Sequence, residues 1–188
     1  MRKILMFVTL MIISMSNLMA YSKEEIAKSL KKQAEVHNID KRVLYTIAKM
    51  ESNFKPYVIA FVSSDKEITM PNVLKKVTKY GNNKYLIQMK GTKENLIATT
   101  NELISMGYLV DVGLMQINSQ NFDESEVERM FEIDYNISKA VKVLKFCGKK
   151  KQVVSKTIEC YNKGLKFNSL SYYDRFKAHF LKDFGVKL

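Results

Sequence analysis

The sequence predicts a mainly α-helical, α+β domain that carries a small β-hairpin. Its 188 residues are enough for one compact domain with a sizeable core. Apolar residues recur at helical spacing through most of the chain, whereas residues 57–90 contain short strand-like runs on either side of a turn. Helix therefore dominates, and the β structure is expected in one inserted stretch.

The first twenty residues have the pattern of a secretory signal peptide. Arg2 and Lys3 precede an almost wholly apolar run over residues 4–15, and Ala20 stands at a plausible cleavage position. We expect residues 1–20 to be removed and residues 21–188 to form the mature domain, with no stable membrane insertion. The alternative is an uncleaved N-terminal anchor, because Leu18 occupies a position that favours a small residue.

Helical segments follow one another along the mature chain. Ser22 and Glu25 have the spacing of a capping box and predict a first helix that ends near His37. Asp40 can cap a second helix, which must end before Pro56 because the residue before a proline disfavours the α region. Further helices are predicted over 92–107, 123–126, 136–146, 153–161 and 171–184.

The stretch over residues 57–90 is predicted to be a β insertion. Residues 57–62 and 85–89 read as short strands, and residues 80–83 supply turn chemistry for a hairpin between them. The insertion is expected to form a wall of a cleft, bind a partner or restrict access.

Glu51 is the most informative single residue. Leu44, Ile47 and Ala48 form the apolar stripe of the second helix, and Glu51 continues that stripe near the helix end. Partial burial and the negative end of the helix dipole both favour the protonated carboxyl, which is the state of a general acid. The alternative is an edge residue whose carboxylate reaches water.

Charge and cysteine content restrict the possible partners. The chain has 31 basic and 19 acidic residues, but the lysines are spread over most segments and no nucleic-acid motif is present. We therefore expect a solvated basic surface and no nucleic-acid partner. Cys147 and Cys160 can form a disulfide in an exported protein or remain buried thiols. His37 and His179 lie in unrelated segments, so no metal site and no cofactor are expected.

Two further segments carry polar residues of interest. Residues 113–118, Gly-Leu-Met-Gln-Ile-Asn, place amide side chains within an apolar run after a glycine that allows close backbone approach. Residues 160–164, Cys-Tyr-Asn-Lys-Gly, bring a phenol and an amide to a helix end. Each segment alone is equally compatible with ordinary packing.

The helix end with Glu51 and Ser52, residues 113–118 and residues 160–164 follow one another in this order. Together, these three segments resemble those of the lysozyme-like lytic transglycosylases of the soluble lytic transglycosylase type. The small members associated with secretion and conjugation systems are the most similar. The resemblance extends from about residue 23 to residue 164 and implies that Glu51 is the catalytic acid and base. It also implies binding or orienting roles for Ser52, Gln116, Asn118 and Tyr161. Structural roles are implied for Gly113, Met115 and Asn162, and for a disulfide between Cys147 and Cys160.

The resemblance implies a peptidoglycan lytic transglycosylase in the periplasm that opens the cell wall for a secretion or conjugation apparatus. Peptidoglycan strands are then its substrate, and components of that apparatus are possible partners. The alternatives are a muramidase-type hydrolase with Asp111 as second carboxylate, and a weakly active peptidoglycan-binding assembly factor. Tryptophan is absent, so sugar stacking is expected from tyrosine or phenylalanine, with Tyr57, Phe61, Tyr108 and Tyr172 as candidates.

Overall fold

A computed structural model describes residues 21–185, so the predicted signal peptide lies outside the described residues. The helices are α1 Lys23–His37, α2 Lys41–Ser52, α3 Lys93–Ser105, α4 Ile133–Lys151, α5 Val154–Lys163 and α6 Ser171–Phe184. The strands are β1 Val58–Ser63, β2 Leu74–Gly81, β3 Lys84–Lys90, β4 Val110–Val112 and β5 Ile117–Asn118. Short 3₁₀ turns connect β5 to α4. The prediction of a mainly helical α+β fold is confirmed.

The first two helices begin and end where local chemistry requires. Ser22 and Glu25 form the capping box at the start of α1, with hydrogen bonds of 2.7 and 3.1 Å. The Asp40 side chain accepts a 2.9 Å hydrogen bond from the backbone N–H of Arg42 and caps α2. Asn53 adopts a left-handed conformation with φ of 52° and terminates α2. Glu51 is thereby held in the last turn of α2.

The β structure is larger than the sequence predicts. All strands are antiparallel and belong to one sheet with the order β2-β3-β1-β4-β5. The turn near Asn83 is present, but β3 is joined through it to β2, a strand that the sequence analysis did not identify. The predicted strand pair, β1 and β3, does associate, and β1 also pairs with β4. The insertion is therefore continuous with the strands of the 113–118 segment.

The core lies between the helices and one face of the sheet. Leu44, Ile47 and Ala48 of α2 are completely buried, as their helical spacing predicts. Alternate residues of β1 and β3, among them Ile59 and Met89, point into the same core. The opposite face of the sheet carries the buried Val58 and Ala60 together with polar residues such as Asp111.

Cys147 of α4 and Cys160 of α5 form a disulfide, with their Cα atoms 5.8 Å apart. This decides between the two possibilities left open by the sequence. The bond closes a short loop and is expected to stabilise the fold by about 3 kcal/mol on chain-entropy grounds. Within residues 21–185, no helix combines the length and the apolar character needed to cross a bilayer.

Candidate active site

A cleft of about 320 Å³ opens between the end of α2, the strands β4 and β5, and the helices α4 and α5. The structure brings most of the sequence-predicted residues to this cleft, although they come from four separate segments of the chain. Those that line it are Glu51, Gln116, Asn118, Tyr161, Asn162, Cys147 and Cys160. Ser52, Gly113 and Met115 are not part of the lining, and their contacts support the surrounding backbone.

Glu51 has the electrostatic environment of a carboxyl group that is protonated near neutral pH. Burial is the main cause that raises its pKa to about 7, and the charge of Asp111 raises it further. The hydrogen bond from Tyr172, the charge of Arg175 and a hydrogen bond with Asn162 act in the opposite direction. A group with this pKa can donate a proton and take one back at the same pH.

Tyr172 contacts Glu51 directly, whereas the sequence suggests it only as a surface for sugar stacking. Its hydroxyl donates a hydrogen bond to Oε1 of Glu51, and its side chain is only 2% exposed. It therefore cannot serve as a sugar-stacking surface, and the same correction applies to Phe61, which is 1% exposed. The two partners are 121 positions apart, so no local sequence signal connects them.

Polar contacts at both ends of α6 hold it against α2 and α5. Near its C-terminus, Asp183 forms a 2.6 Å ion pair with Lys49 of α2. At its N-terminus, α6 has no capping side chain of its own, and the buried Glu159 of α5 accepts a 2.8 Å hydrogen bond from the N–H of Tyr173. These contacts hold the turn of α6 that presents Tyr172 to Glu51.

Gly113 is required at the start of residues 113–118, which are called the cleft segment below. Its φ of +80° lies in the left-handed region, which L-residues with a side chain rarely adopt. A Cβ atom at this position would lie 2.5 Å from the amide nitrogen of Asn136 and 2.6 Å from the carbonyl oxygen of Met130. The glycine therefore allows α4 and the preceding turn to approach the cleft segment closely.

Asn136, which is only 1% exposed, holds the cleft segment against α4. Its Oδ1 accepts a 2.7 Å hydrogen bond from the N–H of Met115. Its Nδ2 donates to the carbonyl oxygens of Val112 and Met130, at 3.0 and 2.9 Å. One side chain thus satisfies three buried backbone groups. From the sequence pattern, Asn136 is expected only to begin a helix.

Three of the predicted residues brace the same segment through backbone contacts. The Ser52 hydroxyl donates to the carbonyl oxygen of Leu114 at 2.7 Å. The Tyr161 hydroxyl donates to that of Met115, also at 2.7 Å. The amide of Gln116 donates to the Gly113 carbonyl oxygen at 2.8 Å. An orienting effect of Ser52 on Glu51 would therefore act through the backbone of the cleft segment.

Asp111 supplies a second carboxyl group at the cleft. Its Oδ1 accepts a 2.9 Å hydrogen bond from Asn118. Burial raises the pKa of Asp111 to about 6, although the hydrogen bond with Asn118 opposes that shift. Across the described part of the chain, no group of three or more His, Cys, Asp or Glu residues is arranged to hold a metal ion.

The family model of the transglycosylase SLT domain matches residues 28–177. The chain belongs to this family. The matched part of the SLT domain begins within α1 and ends within α6, so it contains both Glu51 and Tyr172. The family is one of peptidoglycan lytic transglycosylases, which identifies peptidoglycan as the substrate class. No match was found among curated proteins or among solved structures.

Replacement of Tyr172 by Phe in this SLT domain should move the pH dependence of activity upward. The Tyr172 hydroxyl lowers the pKa of Glu51, so its removal lets that pKa rise. The alkaline limb of kcat/KM, where Glu51 loses its proton, should then shift to higher pH, and kcat should fall by about tenfold. Tyr173→Phe is the matched control and should leave the limb in place. An unchanged or lowered limb in Tyr172→Phe would contradict this role.

Proposed function

We propose that this protein cleaves the β-1,4 bond between N-acetylmuramic acid and N-acetylglucosamine and forms a 1,6-anhydro-muramic product. Glu51 is its single acid and base. The observation that carries this proposal is the half-buried carboxyl group of Glu51 at the cleft. Its pKa of about 7 means that the protonated and the charged form are both populated near neutral pH.

In the first step, protonated Glu51 donates its proton to the glycosidic oxygen. The bond from that oxygen to C1 of the muramic sugar breaks, and the N-acetylglucosamine leaves with a free hydroxyl. The 2-acetamido group of the substrate stabilises the cation that develops at C1. The charged carboxylate of Glu51 then removes the proton of the C6 hydroxyl, O6 bonds to C1, and Glu51 is protonated again.

Gln116, Asn118 and Tyr161 support this proposal as the polar lining against which the sugars would lie. Much of their own hydrogen-bonding capacity is already used within the protein, because each donates to a carbonyl or carboxylate partner. Their orientation is therefore set before substrate arrives, which reduces the entropy lost on binding. Asn162 lies beside Glu51 and is proposed to help orient its carboxyl group.

A muramidase-type hydrolase is the second candidate, and the position of Asp111 is the observation that favours it. Its carboxyl group lies at the same cleft and is close enough to influence the pKa of Glu51. In this alternative, charged Asp111 would position a water for attack at C1. The transglycosylase route needs no such water, because the C6 hydroxyl is the nucleophile.

Product analysis separates the two reactions. Purified sacculi are digested with wild-type protein and with Asp111→Asn, and the muropeptides are analysed by mass spectrometry. We expect 1,6-anhydro ends from both proteins, with the rate of Asp111→Asn within about tenfold of wild type. Reducing ends from wild type, together with a loss of activity in Asp111→Asn, would establish the hydrolase instead.

We also propose that this protein is exported to the periplasm, where it opens the cell wall locally for a secretion or conjugation apparatus. Residues 1–20 read as an export signal, and the disulfide between Cys147 and Cys160 suits an oxidising compartment. The insertion at residues 57–90 adds a surface beside the cleft that components of such an apparatus could contact.

A further inference from the structure

The face of the sheet that carries Asp111 extends from the cleft to the edge of the insertion. Asn118 of β5 lies opposite Asp111 of β4, which lies opposite Ala60 of β1. Ala60 in turn lies opposite Gln88 of β3, and Gln88 lies opposite Lys76 of β2. Residues directly opposite each other in an antiparallel sheet point to the same face. One row of side chains therefore runs from the cleft to Lys76.

Two lysines, Lys76 and Lys90, lie on this face, and a third, Lys55, contacts Lys90. Lys90 is two residues beyond Gln88 in β3 and shares its face, and Lys55 lies just before β1. Lys90 is half-buried, whereas Lys55 and Lys76 are exposed. Burial, then the charge and direct contact of Lys55, and then the charge of Lys76 lower the pKa of Lys90. The ammonium group of Lys90 is therefore close enough to those of Lys55 and Lys76 to be repelled by both.

In the described part of the chain, no carboxylate forms an ion pair that relieves this repulsion. Within residues 21–185, none of the ion pairs includes Lys55, Lys76 or Lys90. Exposed lysines on an edge strand are a common means of preventing strand-to-strand aggregation, and that explains Lys76 of β2. It does not explain Lys90, because β3 lies between β2 and β1. A cluster of this kind is suited to an anionic ligand.

We propose that Lys55, Lys76 and Lys90, the sheet-face lysines, bind carboxylate groups of the peptide stems carried by the peptidoglycan strand. This inference rests on the proposed function, which places a muramic sugar beside Glu51. The stem is attached to that sugar through a lactyl group, and it carries carboxylates along and at the end of a short peptide.

The distance between the cleft and the sheet-face lysines suits a peptide stem. Asp111 and Lys76 are three strand steps apart, which is roughly 14 Å at the usual spacing between strands. An extended peptide of four residues spans about 13 Å. A stem that starts at the cleft is therefore long enough to reach the lysines with its terminal carboxylate. The insertion would then recognise peptide-bearing strands in preference to bare glycan.

The test compares binding to intact sacculi with binding to glycan strands from which an amidase has removed the peptides. All proteins carry Glu51→Gln so that the substrate is not consumed. Lys55→Gln/Lys76→Gln is compared with Lys28→Gln/Lys177→Gln, which removes the same charge from exposed lysines of α1 and α6. We expect the sheet-face double variant to bind intact sacculi about five- to tenfold more weakly than the control, with equal binding to peptide-free glycan.

Two outcomes would overturn the inference. One is an equal loss on both substrates, which would indicate a general effect of charge or folding. The other is identical behaviour of the two double variants on intact sacculi. Digestion by the protein with native Glu51 is measured in parallel. If the protein forms anhydro products but its binding does not depend on the stem peptides, this inference alone is overturned. If binding depends on the stem peptides but no glycan is cleaved, the proposed function is overturned.

Discussion

Replacing Glu51 with Gln should lower kcat on peptidoglycan by about 10³-fold while leaving substrate binding nearly unchanged. The amide has almost the same shape as the carboxyl group, and its oxygen can still accept the hydrogen bond from Tyr172. It cannot donate a proton to the glycosidic oxygen or take one from the C6 hydroxyl. Release of soluble muropeptides from purified sacculi measures kcat, and co-sedimentation with sacculi measures binding.

Glu102→Gln is the matched control, because Glu102 is an exposed residue of α3 away from the cleft. It should retain wild-type activity. If Glu51→Gln released muropeptides at the control rate, Glu51 would not be the acid. The same pair of variants tests the cellular role. If the proposed secretion or conjugation apparatus worked normally with Glu51→Gln, an assembly factor that binds peptidoglycan without turnover would be favoured.

Replacing Asn136 with Ala should lower the free energy of unfolding by about 3–5 kcal/mol. The change leaves the N–H of Met115 and the carbonyl oxygens of Val112 and Met130 without their buried partner. Each such group costs about 1–3 kcal/mol when it has neither a protein partner nor water. Urea unfolding followed by circular dichroism gives the free energy directly.

Asn101→Ala provides the comparison, since Asn101 is an exposed residue within α3. Its unfolding free energy should change by less than about 1 kcal/mol. A similarly small effect for Asn136→Ala would show that water takes over the three hydrogen bonds. In that case the cleft segment would be held chiefly by Gly113 and by the packing of its apolar side chains.

Local chemistry explains the parts of the fold that the sequence predicts well. The capping box at Ser22 and Glu25 and the cap at Asp40 satisfy nearby backbone groups. Both can therefore be recognised from residues that lie within four positions of each other. The apolar stripe of α2 likewise repeats at the helical period. Strand β2 lacks such a signal. Its residues are almost all exposed and several are lysines, so no alternation of apolar and polar residues marks it as a strand.

Some features of the candidate site can likewise be recognised from the sequence, whereas others depend on the fold. Sequence patterns alone indicate that Glu51 ends an apolar stripe, that residues 113–118 and 160–164 carry polar groups among apolar ones, and that a helical domain surrounds them. The folded structure is needed to place Tyr172 against Glu51, Asn136 against the cleft segment and Asp111 at the same cleft. These contacts join residues distant in the chain, and a side chain's pKa depends on which groups surround it after folding.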